Sequence, residues 1–179
     1  MPACSTEDAA KASSTPSGQR CTGWPCSPLI CSSLLSGGAG SCALTAAQLP
    51  PGTYQLTATY GGDGIYAGST SDPQALTVAK VHTSTALTLS AAKVTFGHEQ
   101  AERLSVQVTA ATGASPTGQV AIKAGATRIC TITLAKGKGS CTLTASKLAV
   151  GTYQLTATYN GDGTHARSTS PKKALTVTK

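Results

Sequence analysis

GTYQLTATY occupies Gly52–Tyr60 and recurs, letter for letter, at Gly151–Tyr159. In each copy Tyr, Leu, Ala and Tyr alternate with Thr and Gln, the two-residue period of a strand with one buried face. Each copy runs on into a G-D-G turn, at Gly62–Gly64 and Gly161–Gly163. The match extends without a gap from Ile30–Lys80 to Ile129–Lys179, an offset of 99 residues, and about 32 of the 52 positions aligned from Leu29 and Arg128 are identical. A period near one hundred is too long for the units of roughly 20–50 residues that build solenoids. It means tandem copies of a whole domain, and such chains are more often spacers or binding arrays than catalysts.

Outward from this strand, the second copy reads as short strands throughout. Thr83–Ser90 places Leu87 and Leu89 on one face, and Lys93–Phe96 adds Val94 and Phe96. Leu104–Thr109 alternates Leu104, Val106 and Val108 with polar residues, and Ala114–Gly118 (ASPTG) is a turn whose Pro and Gly supply fixed and positive φ. Gln119–Ala124 follows with Val120 and Ile122 inward, then a cysteine-bearing segment, Thr152–Tyr159, and Ala174–Thr178. About seven strands at 8–12-residue spacing, with no helical periodicity, indicate an all-β sandwich. Phe96, Tyr153 and Tyr159 are all expected to point inward.

Cys31 and Cys42 are separated by ten residues, and Cys130 and Cys141 repeat that spacing around a Gly-bearing turn (Ser36–Gly40, Lys136–Gly139). Read as a hairpin, each segment puts its two cysteines nearly opposite one another, within reach of a disulfide. Closing a loop of about 12 residues contributes roughly 2.5–3 kcal/mol. Duplicated pairs favour oxidation over buried thiols, and over metal ligation, which more typically shows ligands two to four residues apart. Cys4, Cys21 and Cys26 leave an odd count, so one free or intermolecular thiol is expected. The run Cys21, Cys26, Cys31, taken with Cys42, is a weaker alternative as a four-thiolate metal site.

Leu49-x-x-Gly52-x-Tyr54 and Leu148-x-x-Gly151-x-Tyr153 have the form of a tyrosine corner, with Gly at the tight turn and the Tyr hydroxyl free to bond a backbone group upstream. Together with S-P-T-G (Ser115–Gly118), the paired cysteines and T-A-T-Y-x-G-D (Thr156–Asp162), these motifs make the chain resemble the bacterial Ig-like domain repeat family of large secreted and surface proteins. The resemblance covers nearly all of 82–179 and about 30–80. It implies an immunoglobulin-like β-sandwich in two tandem copies, the first truncated or degenerate. The implied limits are an irregular segment 1–28, a partial repeat 29–80 holding only the later strands, and a complete repeat 81–179. Unlike antibody-type domains, the second copy has Leu155 where those have their second core cysteine, and it has no Trp. An apolar core must replace that inter-sheet bond.

The first copy is damaged. Nothing before about residue 12 matches the early strands of the second, and Thr15–Gln19 matches Ser115–Gln119 at an offset of 100, so one residue is lost before Ile30. The interval RCTGWPCSPL (Arg20–Leu29) holds Trp24, Cys21 and Cys26 and lacks the alternation of QVAIKAGATR opposite it. This copy is expected to lack its first two strands, which leaves unpaired edges that invite association.

Apolar residues make up 40% of the chain, an ordinary share, whereas charged residues at 12% are about half the usual one. No run approaches the roughly 18 apolar residues of a membrane span, so none is expected. Met1–Ser14 shows no basic-then-apolar signal pattern, as expected of a chain that begins inside a repeat. The net charge of +7 is lopsided, −1 over residues 1–80 and +8 over 81–179. A basic domain meets nucleic acid, anionic wall polymer or lipid headgroups. Nucleic-acid binding normally adds clustered Arg and stacking aromatics, and neither is present, so no nucleic-acid partner is expected.

Asp63 and Asp162 each stand alone in a loop, too few carboxylates for calcium, and read as turn residues. His82, His98 and His165 are not spaced like metal ligands and read as exposed or loop histidines. Leu49–Thr53 (LPPGT) resembles a sortase signal, but its last two residues are reversed and no apolar tail follows. With no nucleophile motif, paired carboxylates or phosphate-cradling loop, the sequence points to no catalytic, cofactor or metal site. The residues expected to matter are structural: Cys31, Cys42, Cys130, Cys141, Tyr54, Tyr153, Gly52 and Gly151. The reading is a non-enzymatic spacer or adhesion-type module of a secreted or cell-surface protein, flanked by neighbouring Ig-like repeats. The alternative is an accessory module for cell-wall polymer or polysaccharide, against which stands the lack of exposed aromatics. A third is an incomplete gene product without independent function.

Overall fold

Identical strands meet different fates in the two halves of this chain. The computed structural model describes residues 29–45 and 47–179. Readings that fall on residues 1–28, including Cys4, Cys21, Trp24 and Cys26, lie outside the described residues. One unit ends at Thr77 and the other runs from Val78 to Lys179.

In the first unit, strands β1 (Gly52–Leu56) and β4 (Gln74–Val78) pair with each other, and β2 (Thr59–Tyr60) pairs antiparallel with β3 (Ser69–Thr70). Among the described residues of this unit, two two-stranded ladders supply apolar faces with no second layer against them. No described residue between 29 and 77 is buried. Around Cys31 and Cys42 there is no strand, only a bridge of Ser36 with Ala39 at the turn.

The second unit is a closed sandwich. Its strands are β5 (Thr83–Leu89), β6 (Lys93–Thr95), β7 (Arg103–Ala110), β8 (Gln119–Ala124), β9 (Thr127–Thr133), β10 (Lys138–Thr142), β11 (Gly151–Tyr159), β12 (Ser168–Thr169) and β13 (Lys173–Thr178), with a single 3-10 turn at Glu99–Ala101. One sheet has the order β10-β7-β5; the other has β6-β13-β11-β8-β9, with β12 added on β11. The chain changes sheets on both sides. After β5 it crosses at Ser90–Ala92 and enters the opposite sheet as β6, parallel to β13 (Val94 beside Val177). After β9 it crosses back through Lys136 and Gly137, both at positive φ (51° and 74°), into β10. A side chain at Gly137 would put its Cβ 2.6 Å from the Val108 carbonyl oxygen, so only glycine fits this corner.

This crossing corrects the hairpin reading of the cysteine segment. β9 pairs with β8 and β10 with β7, so the cysteine-bearing strands of the second unit lie in different sheets. Alternation is the same whether successive strands pair or part company, so the pattern of apolar residues did not distinguish the two.

The core lies between the sheets. Leu87, Leu104, Val106, Val108 and Leu143 come from one side, and Val120, Ile122, Ile132, Leu155, Ala157, Tyr159, Leu175 and Val177 from the other, all buried. Tyr153 is half-buried at its margin. Phe96, expected inward, is 45% exposed: β6 ends at Thr95, and Gly97 at φ 85° turns the chain away just beyond it. Leu155 is fully buried while Leu56, its counterpart in the same nine-residue stretch, is only half-buried. Leu155→Ala is therefore expected to lower the unfolding free energy of the second unit by about 3 kcal/mol, and Leu56→Ala to change stability by less than about 1 kcal/mol. Urea denaturation of the two variants checks this, and equal losses would show that both strands are buried alike.

Candidate functional site

The residues singled out in the sequence fall at the places where loops and sheets have to be tied together. Cys130 and Cys141 are joined, with Cα atoms 6.7 Å apart, and Cys31 and Cys42 are joined with Cα atoms 6.2 Å apart. Since β9 and β10 belong to different sheets, the Cys130–Cys141 bond is an inter-sheet clasp at the edge of the sandwich. It lies across the side where the chain crosses back, opposite the side closed by the β5–β6 crossing. Both cysteines are partly buried against the core.

The Tyr153 hydroxyl donates to the Ala149 carbonyl at 2.9 Å, and Tyr54 makes the same bond to Pro50 at 2.6 Å. Each ties the start of its strand to the loop four residues upstream. The two motif glycines differ: Gly151 sits at φ 156°, where a side chain would be strained, whereas Gly52 is less constrained than its motif suggests. Gly52 does not have positive φ, and a Cβ there would lie 3.6 Å from the Tyr54 hydroxyl, an ordinary contact.

The G-D-G aspartates are organising centres. Asp63 Oδ1 accepts the backbone N–H groups of Ile65 (2.8 Å) and Tyr66 (2.7 Å), and Oδ2 accepts the Tyr60 hydroxyl (2.8 Å). Those two N–H donors, and then the tyrosine, hold the Asp63 pKa below the usual carboxylate value. Asp162 repeats the inner pair with Thr164 (2.9 Å) and His165 (2.7 Å). Its other oxygen accepts the backbone N–H and the hydroxyl of Thr117, both at 3.0 Å, from the S-P-T-G turn 45 residues away. Burial opposes ionisation of Asp162, but the Thr117 N–H, the His165 ring and the N–H groups of Thr164 and His165 outweigh it. They hold its pKa well below the carboxylate range. Tyr159, the counterpart of Tyr60, has no hydrogen-bond partner for its hydroxyl among the described residues. Burial first, and the nearby Asp162 carboxylate second, push its pKa up to about 12.

Of the three histidines expected to be exposed or in loops, His165 is the one drawn inside. It lies in a loop but is only 3% exposed. Nε2 donates to the Ala114 carbonyl at 3.0 Å, and Nδ1 faces the Asp162 carboxylate at 2.9 Å. Val81 is stitched alongside, its N–H donating to the Thr164 carbonyl (2.9 Å) and its own carbonyl accepting from Ala166 (2.8 Å).

Sequence reading missed two buried acids, Glu99 and Glu102, both fully buried. Glu102 accepts from Ser90 N–H (2.8 Å), Ser90 hydroxyl (2.9 Å) and Ala91 N–H (2.7 Å), so it braces the crossing between β5 and β6. Glu99 accepts from the Ser146 N–H at 2.9 Å, tying the 3-10 turn to the loop before β11. Burial works against the Glu99 charge, yet the N–H groups of Ser146, Glu99 itself and Gly97 leave its pKa below the usual value. The one available signal was their place in the polar stretch between two apolar strands, which a solvent-exposed loop shows equally. Among the described residues no group of three or more His, Cys, Asp or Glu is placed to hold a metal ion, and no helix is long and apolar enough to cross a membrane.

The family model for the bacterial Ig-like domain (group 3) matches residues 27–79 and 87–178. No curated protein matches the chain. Among solved structures the chain is similar to the fibronectin(III)-like modules of Clostridium thermocellum CbhA, at 21% identity and a TM-score of 0.36, covering 52% of this chain and 94% of that one. It is also similar to domains d3–d4 of the rat CD45 extracellular region, at 13% identity and a TM-score of 0.36, covering 91% of this chain and 84% of that one.

The Asp162 cluster has a testable pH signature. Because its folded pKa is depressed, the ionised carboxylate stabilises fully above the unfolded aspartate value of about 3.9, and that contribution is lost as pH falls through the folded value. Asp162→Asn is expected to cost about 2 kcal/mol at pH 7 and to flatten the loss of stability below about pH 4. Denaturation midpoints measured from pH 2 to 7 decide it, and parallel profiles for the two proteins refute the assignment. For the clasp, Cys130→Ala with Cys141→Ala is expected to cost about 2.5–3 kcal/mol under oxidising conditions, and reducing agent should have no further effect on that unit.

Proposed function

Since this chain belongs to the bacterial Ig-like domain family (group 3), we propose that it acts as a non-catalytic structural module, a stiff spacer or adhesion-type unit set among neighbouring Ig-like repeats of a secreted or cell-surface protein. In this proposal residues 81–179 are a complete repeat and 29–80 a partial one. The observation that carries the reading is the closure of the second unit on every side. A strand crossing seals one flank, the Cys130–Cys141 clasp seals the other, and buried carboxylates bind the loops at both ends. Such a block resists opening, which a load-bearing spacer requires. The oxidised cysteine pairs support an oxidising compartment outside the cytosol. Lys80–Thr83 are already bonded to the 162–168 loop, through Lys80 Nζ to the Asp162 carbonyl, Val81 as above, and Thr83 Oγ1 to Ala166 (2.8 Å) and Ser168 (2.7 Å). The repeat therefore begins with little slack.

Single-molecule stretching of the full chain tests this. The second unit should open in one cooperative step. Reduction should lengthen that step by about 3 nm, the extended length released from the loop between Cys130 and Cys141, which are 11 residues apart in sequence. Gradual yielding at forces of a few piconewtons would rule out a load-bearing role.

A further inference from the structure

The three acidic residues in 81–179 are Glu99, Glu102 and Asp162, and all three are turned to internal use. Glu99 and Glu102 are fully buried, and the Asp162 side chain is only 15% exposed. Their oxygens bond to backbone N–H groups, hydroxyls and one histidine, Glu99 Oε1 alone having no partner among the described residues. By contrast, all eleven Lys and Arg residues of 81–179 are exposed. Among the described residues the single acid–base contact is between His165 and Asp162. The surface cations of this unit therefore have no surface carboxylate to neutralise them, although the unit's formal charge includes three negative groups.

Two of these cations frame a built face. On the outer side of the β10-β7-β5 sheet, Thr88, Arg103, Ser105, Gln107, Lys138 and Ser140 line a shallow depression of about 500 Å³. The register explains why they gather: Ser105 stands between Thr88 and Ser140, and Lys138 lies opposite Gln107, two residues along each strand. Arg103 is oriented by a bond from Nη2 to Ser140 Oγ at 2.8 Å. Arg103 and Lys138 thus flank a floor of hydroxyls and an amide, with the Arg103 guanidinium drawn towards Lys138 by its bond to Ser140, two residues along the same strand. No aromatic side chain lines the face, so bases and sugar rings have nothing to stack on.

We infer that this face binds a linear polyol phosphate, a phosphodiester-linked polymer without bases, held by charge-assisted bonds to Arg103 and Lys138 and by the hydroxyls between them. With eleven exposed cations and no exposed acid in residues 81–179, the positive field extends beyond this face, which favours a polyanion over a single phosphate. The inference rests on the extracellular setting proposed above but not on the mechanical role, which stretching tests separately.

The test uses the full oxidised chain and delipidated, fluorescently labelled poly(glycerol phosphate), followed by anisotropy between 50 and 200 mM salt. Binding should weaken steeply with salt, and inorganic phosphate at equal phosphate concentration should displace less than a tenth of the polymer. R103E with K138E should weaken binding at least tenfold. K147E with K179E, the same charge change at exposed positions elsewhere on the unit, should weaken it less than threefold. Both double variants should keep the wild-type thermal transition. Absence of binding, or equal losses in the two double variants, would overturn the site. Equally tight binding of an oligothymidylate of matched charge would overturn the choice of a base-free polymer.

Discussion

An apolar strand row is stable only when a second sheet stands against it, and everything else in this chain follows from where that cover is supplied. In β11 the row Leu155, Ala157 and Tyr159 is sealed by the facing sheet. To keep two sheets together, the chain must manage both open flanks and both ends, and it does so with different chemistry at each. Backbone exchange closes one flank, a sulfur–sulfur bond closes the other, and carboxylates collect orphan N–H donors at the ends. Buried carboxylates are costly unless their lone pairs are filled. Here the donors come from loops distant in sequence, so bonding them also ties those loops down, and one oxygen, Glu99 Oε1, is left without a partner among the described residues.

Most of the layout was legible in residues 81–179 because a strand's burial is written locally, in every second residue. The strand set, the inward rows and the cysteine partners of the second unit all follow from patterns of that kind. What was not legible depends on where a strand goes next. Cys130 and Cys141 occupy the same alternation whether β9 and β10 pair or separate, and only the left-handed backbone at Lys136 and Gly137 sends them to different sheets. Phe96 reads as core by composition but falls one residue beyond the end of its strand. Glu99 and Glu102 read as solvated because acids usually are, and their burial depends on donors far along the chain, Ser146 being 47 residues from Glu99. His165 is hidden by the same kind of distant contact.

Internal use of acids also changes what the surface presents. In most domains lysines and arginines share the exterior with carboxylates, so their field is short-ranged and mixed in sign. Here the interior has taken the negative groups for structural reasons, and the outer face of the three-stranded sheet is left cationic and hydroxyl-rich. Structure and surface chemistry are thus coupled: the residues that brace the crossings are the ones missing from the exterior.

The two aspartate turns differ in one respect that reaches beyond their loops. Asp63 takes its third bond from Tyr60, whereas Asp162 gives that oxygen to Thr117, leaving the Tyr159 hydroxyl with no partner among the described residues. In the second unit the S-P-T-G turn holds the carboxylate, and the phenol stands beside it. The phenol's near-ultraviolet absorption is sensitive to its polar neighbours, which makes this tyrosine a natural chromophoric gauge of whether the S-P-T-G turn is docked on its aspartate.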